Sequence, residues 1–143
     1  MTKRILMIDD EADFSELLQF RLRHLDYEAL SAATGTEALN RARCESPDVI
    51  LLDLLLPDLD GLTVCEILRR QLSTRETPIF VITVVTTEAT QQAARIAGAD
   101  GFLGKPLDFD QLKAQLEIAF ASKSAGDETL LKRSLIFDSH LHD

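Results

Sequence analysis

The chain predicts an α/β fold, a parallel sheet covered by helices on both faces. Three observations carry this. Five short apolar runs alternate with five helical patterns. The runs are apolar almost throughout instead of alternating with polar residues, as suits strands buried on both sides. Strict strand–helix alternation implies right-handed crossovers, which set the strands parallel and spread the helices over both faces.

The first strand is "RILMI" (4–8), which runs straight into Asp9, Asp10 and Glu11. After it Phe14, Leu17, Leu18, Leu22 and Leu25 recur at helical spacing and make one apolar stripe. "EALSAA" (28–33) is the second strand. An Ala-rich helical segment from Thr36 to Cys44 follows and ends at Ser46-Pro47. "VILLD" (49–53) is the third strand, and a helix carrying Leu62, Cys65, Ile67 and Leu68 starts after Asp60-Gly61. "IFVIT" (79–83) precedes a helix from Thr87 to Ala97 that stops at Gly98. "GFLG" (101–104) leads to the last stripe, Phe109, Leu112, Leu116, Ala119 and Phe120. The chain has no internal repeat and no low-complexity segment.

Composition narrows the possibilities. At 143 residues one domain with a real core is expected. The net charge of −9 argues against direct nucleic-acid binding, which relies on basic surface. Cys44 and Cys65 fall in helical segments and belong to no CxxC pair, so both are expected as buried reduced thiols. The start "MTKRILMIDDE" has acids where a signal peptide needs apolar residues. No apolar run approaches the ~20 residues of a membrane span. The expectation is a soluble cytoplasmic protein. Residues 1–121 are expected to form the domain. Residues 122–143 are expected to be a tail, a flexible linker with a short helix around Leu130–Phe137 for which Asp127 is a candidate cap.

Open parallel sheets bind ligands outside the carboxyl ends of their strands. Those ends carry Asp9 and Asp10, Asp53, Thr83 and, just past the fifth strand, Lys105. Clustered carboxylates there suit a hard divalent cation, Mg²⁺ best, because it takes one or two carboxylates, keeps waters and bridges to phosphate. Thr83 and Lys105 then supply a donor and a point charge for phosphoryl oxygens. A carboxylate is also a covalent nucleophile toward phosphorus. Asp53 is the best placed of the three if its strand is central.

These pieces, "DDE" at 9–11, "DLLLPDLDG" at 53–61, Thr83 and "GFLGKP" at 101–106, resemble the receiver domain of two-component response regulators over residues 3 to about 121. The resemblance implies a flavodoxin- and CheY-like sheet of order 2-1-3-4-5. It implies that Asp53 accepts a phosphoryl group from a phosphohistidine on a sensor histidine kinase or phosphotransfer protein. Asp10, Asp53 and the backbone carbonyl of Leu55 would hold Mg²⁺, with Asp9 acting through water. Lys105 would pair with the phosphoryl group, Thr83 would move to bond it, and Phe102 would turn inward as the aromatic switch. The Lys105–Pro106 bond would be cis. A downstream protein would read the fourth helix, fifth strand and fifth helix, and homodimerisation on phosphorylation stays open. So does whether the protein is a stand-alone regulator, a relay intermediate or part of a longer one, since too few residues follow for an output domain.

Two positions depart from the family pattern. Val84 stands where a small residue is usual, and Leu55 is apolar where polar residues are common; both are expected to tune rates and access. Two other functions compete. A small phosphatase with an aspartyl nucleophile would carry a DxDx[TV] motif after its first strand, where this chain has "DDEAD". A degenerate receiver used only for docking would not need the full set of Asp9, Asp10, Asp53, Thr83 and Lys105. "DLDG" (58–61) lacks the other acids of a calcium loop and reads as turn and cap. "GADGFLG" is not GxGxxG and reads as a helix stop. His140 and His142 read as stray tail residues, not as a metal pair.

Overall fold

The computed structural model describes residues 2–123. The expectations on Asp127, Leu130–Phe137, His140 and His142 lie outside the described residues. Five strands, β1 (Arg4–Ile8), β2 (Glu28–Ala32), β3 (Val49–Leu52), β4 (Ile79–Thr83) and β5 (Gly101–Gly104), alternate with five helices, α1 (Ala12–His24), α2 (Gly35–Glu45), α3 (Gly61–Arg70), α4 (Glu88–Ala97) and α5 (Phe109–Lys123). All strand pairs are parallel and the order is β2-β1-β3-β4-β5. β3 is therefore central, with β1 and β4 on either side.

Alternation along each strand divides the core into two layers. Ile5, Met7, Val49, Leu51, Phe80 and Ile82 face one way, onto Leu18 and Leu22 of α1 and Leu112, Leu116 and Ala119 of α5. Leu6, Ile8, Ile50, Leu52, Ile79 and Val81 face the other, onto Ala38 and Ala42 of α2, Val64 and Leu68 of α3, and Ala94 and Ala97 of α4. Each large side chain removed from water in this way contributes roughly 1.5–3 kcal/mol, so strands buried on both faces anchor the fold.

Helix starts follow local chemistry. Thr34, Asp60 and Thr87 cap α2, α3 and α4 by accepting from the backbone N–H groups of Glu37 (3.1 Å), Leu62 (3.1 Å) and Thr90 (3.2 Å). Gly98 ends α4 at φ 112°, a left-handed value that glycine adopts without a Cβ penalty. Arg69 of α3 then ties the loops below the sheet together. Its guanidinium donates to the carbonyls of Gly98 (2.8 Å) and Thr77 (2.6 Å) and pairs with buried Asp100 at 2.7 Å.

One expectation is corrected. Cys65 is buried, and burial pushes its thiol up to about 11. Cys44 is exposed. The reason is the width of the α2 stripe: Ala38 and Ala42 meet the sheet one turn apart, and Cys44, two residues further on, points away.

Candidate functional site

Parallel pairing brings the ends of β1, β3, β4 and β5 to one edge. The ladder runs one residue past each strand: Asp53 N–H donates to the Ile8 carbonyl at 2.9 Å, and Lys105 N–H to the Thr83 carbonyl at 3.0 Å. Asp9, Asp53, Thr83 and Lys105 are fixed by backbone in this way, so their side chains emerge together.

The Lys105 ammonium is the hub. Its Nζ donates to Asp9 Oδ2 at 2.8 Å, Glu11 Oε1 at 2.6 Å and Asp53 Oδ2 at 3.1 Å, and sits 4.4 Å from the centroid of the Phe14 ring. Asp9 and Asp53 are buried, Asp10 is exposed. Backbone N–H groups complete the two buried carboxylates, Glu11 N to Asp9 Oδ1 (2.8 Å) and Leu55 N to Asp53 Oδ1 (3.1 Å). Burial raises the Asp9 carboxyl above the usual carboxylate range, and the bonds from Lys105 and the Glu11 N–H only partly offset it. Burial by itself would lower Lys105, but the bonds to Asp9, Glu11 and Asp53 outweigh it and hold the amine well above its ordinary value. Lys105 stays a cation, and the opening run of acids ends beside it.

Asp9, Asp10 and Asp53 each present a carboxylate oxygen, and these atoms lie within 4.8 Å of one another. Three converging hard oxygen donors, one of them open to solvent, fit a divalent cation that keeps part of its water shell. Thr83 is fully buried at the end of β4, its hydroxyl accepting from Val85 N–H at 3.4 Å. Val84 and Leu55 are more than half exposed on the rim of the site. The Lys105–Pro106 peptide bond is cis. Phe102 already lies inside the core, fully buried in the layer with Val81, Ala94 and Ala97, so this conformation has the ring inward.

Two roles have no signal in the sequence pattern. Glu11, one more acid in the run after β1, makes the shortest of the three carboxylate bonds to Lys105. Asp58, whose sequence context suggests only turn chemistry, fastens the β3–α3 loop to the start of α2. It accepts from Gly35 N–H (2.7 Å), Thr36 N–H (3.0 Å) and the Thr36 hydroxyl (2.8 Å). The Thr36 and Gly35 N–H bonds, with help from the hydroxyl, pull its carboxyl down to about 2. A carboxyl held low stabilises the fold above its unfolded value, and that contribution is lost as pH falls through the folded value. In urea unfolding, the advantage of the parent over Asp58→Ala is expected to be level at neutral pH and to shrink between roughly pH 4 and 2. A gap that stays constant down to that range would assign the loop's anchoring to something other than this charge.

Comparison with known proteins agrees with the geometry. The profile of the response regulator receiver domain matches residues 5–117. The chain is 38% identical over 117 residues to the alkaline phosphatase synthesis transcriptional regulatory protein PhoP of Bacillus subtilis, covering 82% of this chain and 48% of that protein. It spans about half the length of the curated relatives it matches. Among solved structures, it superposes on the chemotaxis response regulator CheY4 of Vibrio cholerae with a TM-score of 0.78 at 29% identity, covering 83% of this chain and 99% of that one. It superposes on the BeF3-activated N-terminal receiver domain of Klebsiella pneumoniae RstA with a TM-score of 0.77 at 26% identity, covering 82% and 97%. Among the described residues no helix is long and apolar enough to cross a membrane. With the sheet order, the carboxylate cluster and the lysine all in place, the chain belongs to the response regulator receiver domain family.

Proposed function

We propose that this domain is a cytoplasmic switch that takes a phosphoryl group onto Asp53 from the phosphohistidine of a sensor histidine kinase or phosphotransfer protein. The observation that supports this most is Lys105 bonded at once to Asp9 and Asp53, beside Asp10, at the carboxyl end of the central strand. An oxygen of Asp53 attacks phosphorus, the new O–P bond forms as the P–N bond to the imidazole breaks, and the ring nitrogen keeps the electron pair. Asp10, Asp53 and the Leu55 carbonyl would hold Mg²⁺, with Asp9 behind water, and the ion supplies charge neutralisation at the phosphoryl oxygens. Lys105 pairs with one of those oxygens, and the Thr83 hydroxyl moves to donate to another.

The switch is a two-state equilibrium, because Thr83 and Lys105 can both bond the phosphoryl group in only one arrangement. The proposed reading surface is α4, β5 and α5, where Phe102 lies beneath and Ile96 stands 83% exposed. The partner there is a protein, in keeping with the net charge of −9. The switch is proposed to comprise residues 1–121, although α5 itself runs two residues further, to Lys123. Beryllofluoride with Mg²⁺ is expected to shift amide resonances from Thr87 to Phe120 as well as around Asp53. Shifts confined to the neighbourhood of Asp53 would show that the signal does not reach that face.

Leu55 and Val84 are proposed to set the lifetime of the phosphoryl group. Hydrolysis needs a water in line with phosphorus, and orientation alone carries several kcal/mol of barrier. Leu55 offers that water no hydrogen bond, and β-branched Val84 stiffens the same approach. Leu55→Asn with Val84→Ala is expected to shorten the lifetime at least ~10-fold, about 1.4 kcal/mol of barrier. An unchanged lifetime would leave the two side chains as rim packing.

A further inference from the structure

Glu11 is the N-cap residue of α1, yet its side chain makes no capping bond. Asn, Asp, Ser and Thr cap well because their short side chains fold back onto the first free N–H groups. The Glu11 carboxylate instead reaches across to Lys105 at 2.6 Å, the shortest of that ammonium's three carboxylate contacts among the described residues. Phe14, less than one turn further along α1, lies against the same ammonium within cation–π range.

An ammonium has three N–H donors and no more. Asp9, Glu11 and Asp53 take all three. A phosphoryl oxygen on Asp53 takes over the bond that Asp53 Oδ2 now makes, the longest of the three at 3.1 Å, and the added charge draws the ammonium toward it, away from one of its other two partners. The Asp9 side chain is 1% exposed and that of Glu11 60%. Releasing Asp9 would leave a buried carboxylate without its cation, which is costly; releasing Glu11 returns a carboxylate to water at little cost.

We propose that Glu11, backed by Phe14, is a resting latch on Lys105: it holds the ammonium toward α1 and gives it up when Asp53 carries a phosphoryl group. This deepens the phosphoacceptor reading and rests on it. Glu11 touches neither the donor nor the acceptor oxygen of the transfer, so it is a positioning residue. Once released, its carboxylate no longer ties the first turn of α1 to the β5–α5 loop, and that turn becomes a second reporter of the phosphorylated state.

The test compares the parent with Glu11→Ser, Glu11→Gln and the control Asp13→Asn, with acetyl phosphate as donor at saturating Mg²⁺. Asp13 is an exposed acid of the same first turn, so its loss changes net charge as Glu11→Gln does. Both Glu11 variants are expected to phosphorylate about fivefold faster than the parent, ~1 kcal/mol of barrier, and Asp13→Asn at close to the parent's rate. Glu11→Ser supplies a real cap and should melt no lower than the parent, which separates the latch from a loss of structure. In the parent, beryllofluoride with Mg²⁺ should shift the amides of Ala12 to Ser15 strongly, and in Glu11→Ser only weakly. Equal gains in Asp13→Asn and Glu11→Gln would reduce the effect to net charge and overturn the latch, as would unchanged or slower rates in the Glu11 variants. A parent that takes no phosphoryl group at Asp53 would instead overturn the reading on which the latch rests.

Discussion

Asp53→Asn is expected to abolish phosphorylation by small donors, a loss of at least ~100-fold, while the fold and its melting behaviour survive. The amide is isosteric with the carboxyl and keeps an acceptor for the Leu55 N–H, but it is a poor nucleophile and cannot form an acyl phosphate. Lys105 retains Asp9 and Glu11 as partners, so the ammonium is not orphaned. Chelating Mg²⁺ from the parent should have an effect of similar size. Three carboxylates face one ammonium here, and an incoming phosphoryl dianion meets a net negative site. One unneutralised like-charge pair at ~4 Å costs about 4 kcal/mol at an effective dielectric of ~20, which is enough to stop the reaction on a practical timescale. Intact-mass measurement, with the adduct lost in alkali, checks both. Asp53→Asn modified as fast as the parent would move the acceptor elsewhere.

Gly61→Ala should damage both stability and reactivity. A Cβ built at Gly61 would lie 2.4 Å from Leu54 Cα and 2.6 Å from the Asp53 carbonyl oxygen. Both are backbone atoms, so no flexible side chain can yield. Gly61 N–H also donates to the Leu54 carbonyl at 3.0 Å, which pins α3 directly against the segment that carries Asp53, the proposed acceptor. Overpacking of this kind costs typically ~1–3 kcal/mol, and the upper end is expected because the backbone itself must shift. A displacement of Asp53 approaching 1 Å costs ~100-fold in transfer rate. Gly104→Ala is the natural comparison. Its added Cβ would meet only the Thr86 side chain, at 3.0 Å, so it should fall within about 1 kcal/mol of the parent. Urea unfolding and phosphorylation kinetics on the two variants decide the matter; a Gly61→Ala protein as stable and reactive as Gly104→Ala would refute the close approach.

Much of the fold was legible because its signals are local. Continuous apolar runs marked β1, β3 and β4, and Gly98 marked the end of α4. The residues at the sheet edge were legible for a different reason: in a doubly wound sheet the position of a strand end decides where its neighbour in sequence emerges. What the chain did not reveal depends on distances across loops. Cys44 sits in a helix whose buried stripe is narrower than its composition suggests. Glu11 looked like one more acid after a strand, and its only sequence sign is a poor capping residue at a helix start. Gly61 read as part of a turn, while its need for hydrogen at that position comes from the β3–α3 backbone, which no pattern of neighbours displays. The inward Phe102 ring is set by packing against Val81, Ala94 and Ala97, contacts across the sheet that composition does not record.

The spacing of the partners along the chain has a kinetic meaning. Lys105 lies 96 positions from Asp9 and 52 from Asp53. Contacts of such long range are closed late, because loop entropy must be overcome before they form. A nascent chain emerging from the ribosome presents the carboxylates long before it presents their cation. Until the fifth strand is laid beside the fourth, the acids stand without the lysine that pairs with them in the folded domain. If the site works as proposed, reactivity is thereby a property of copies that have completed assembly, and a half-folded molecule receives no message to relay.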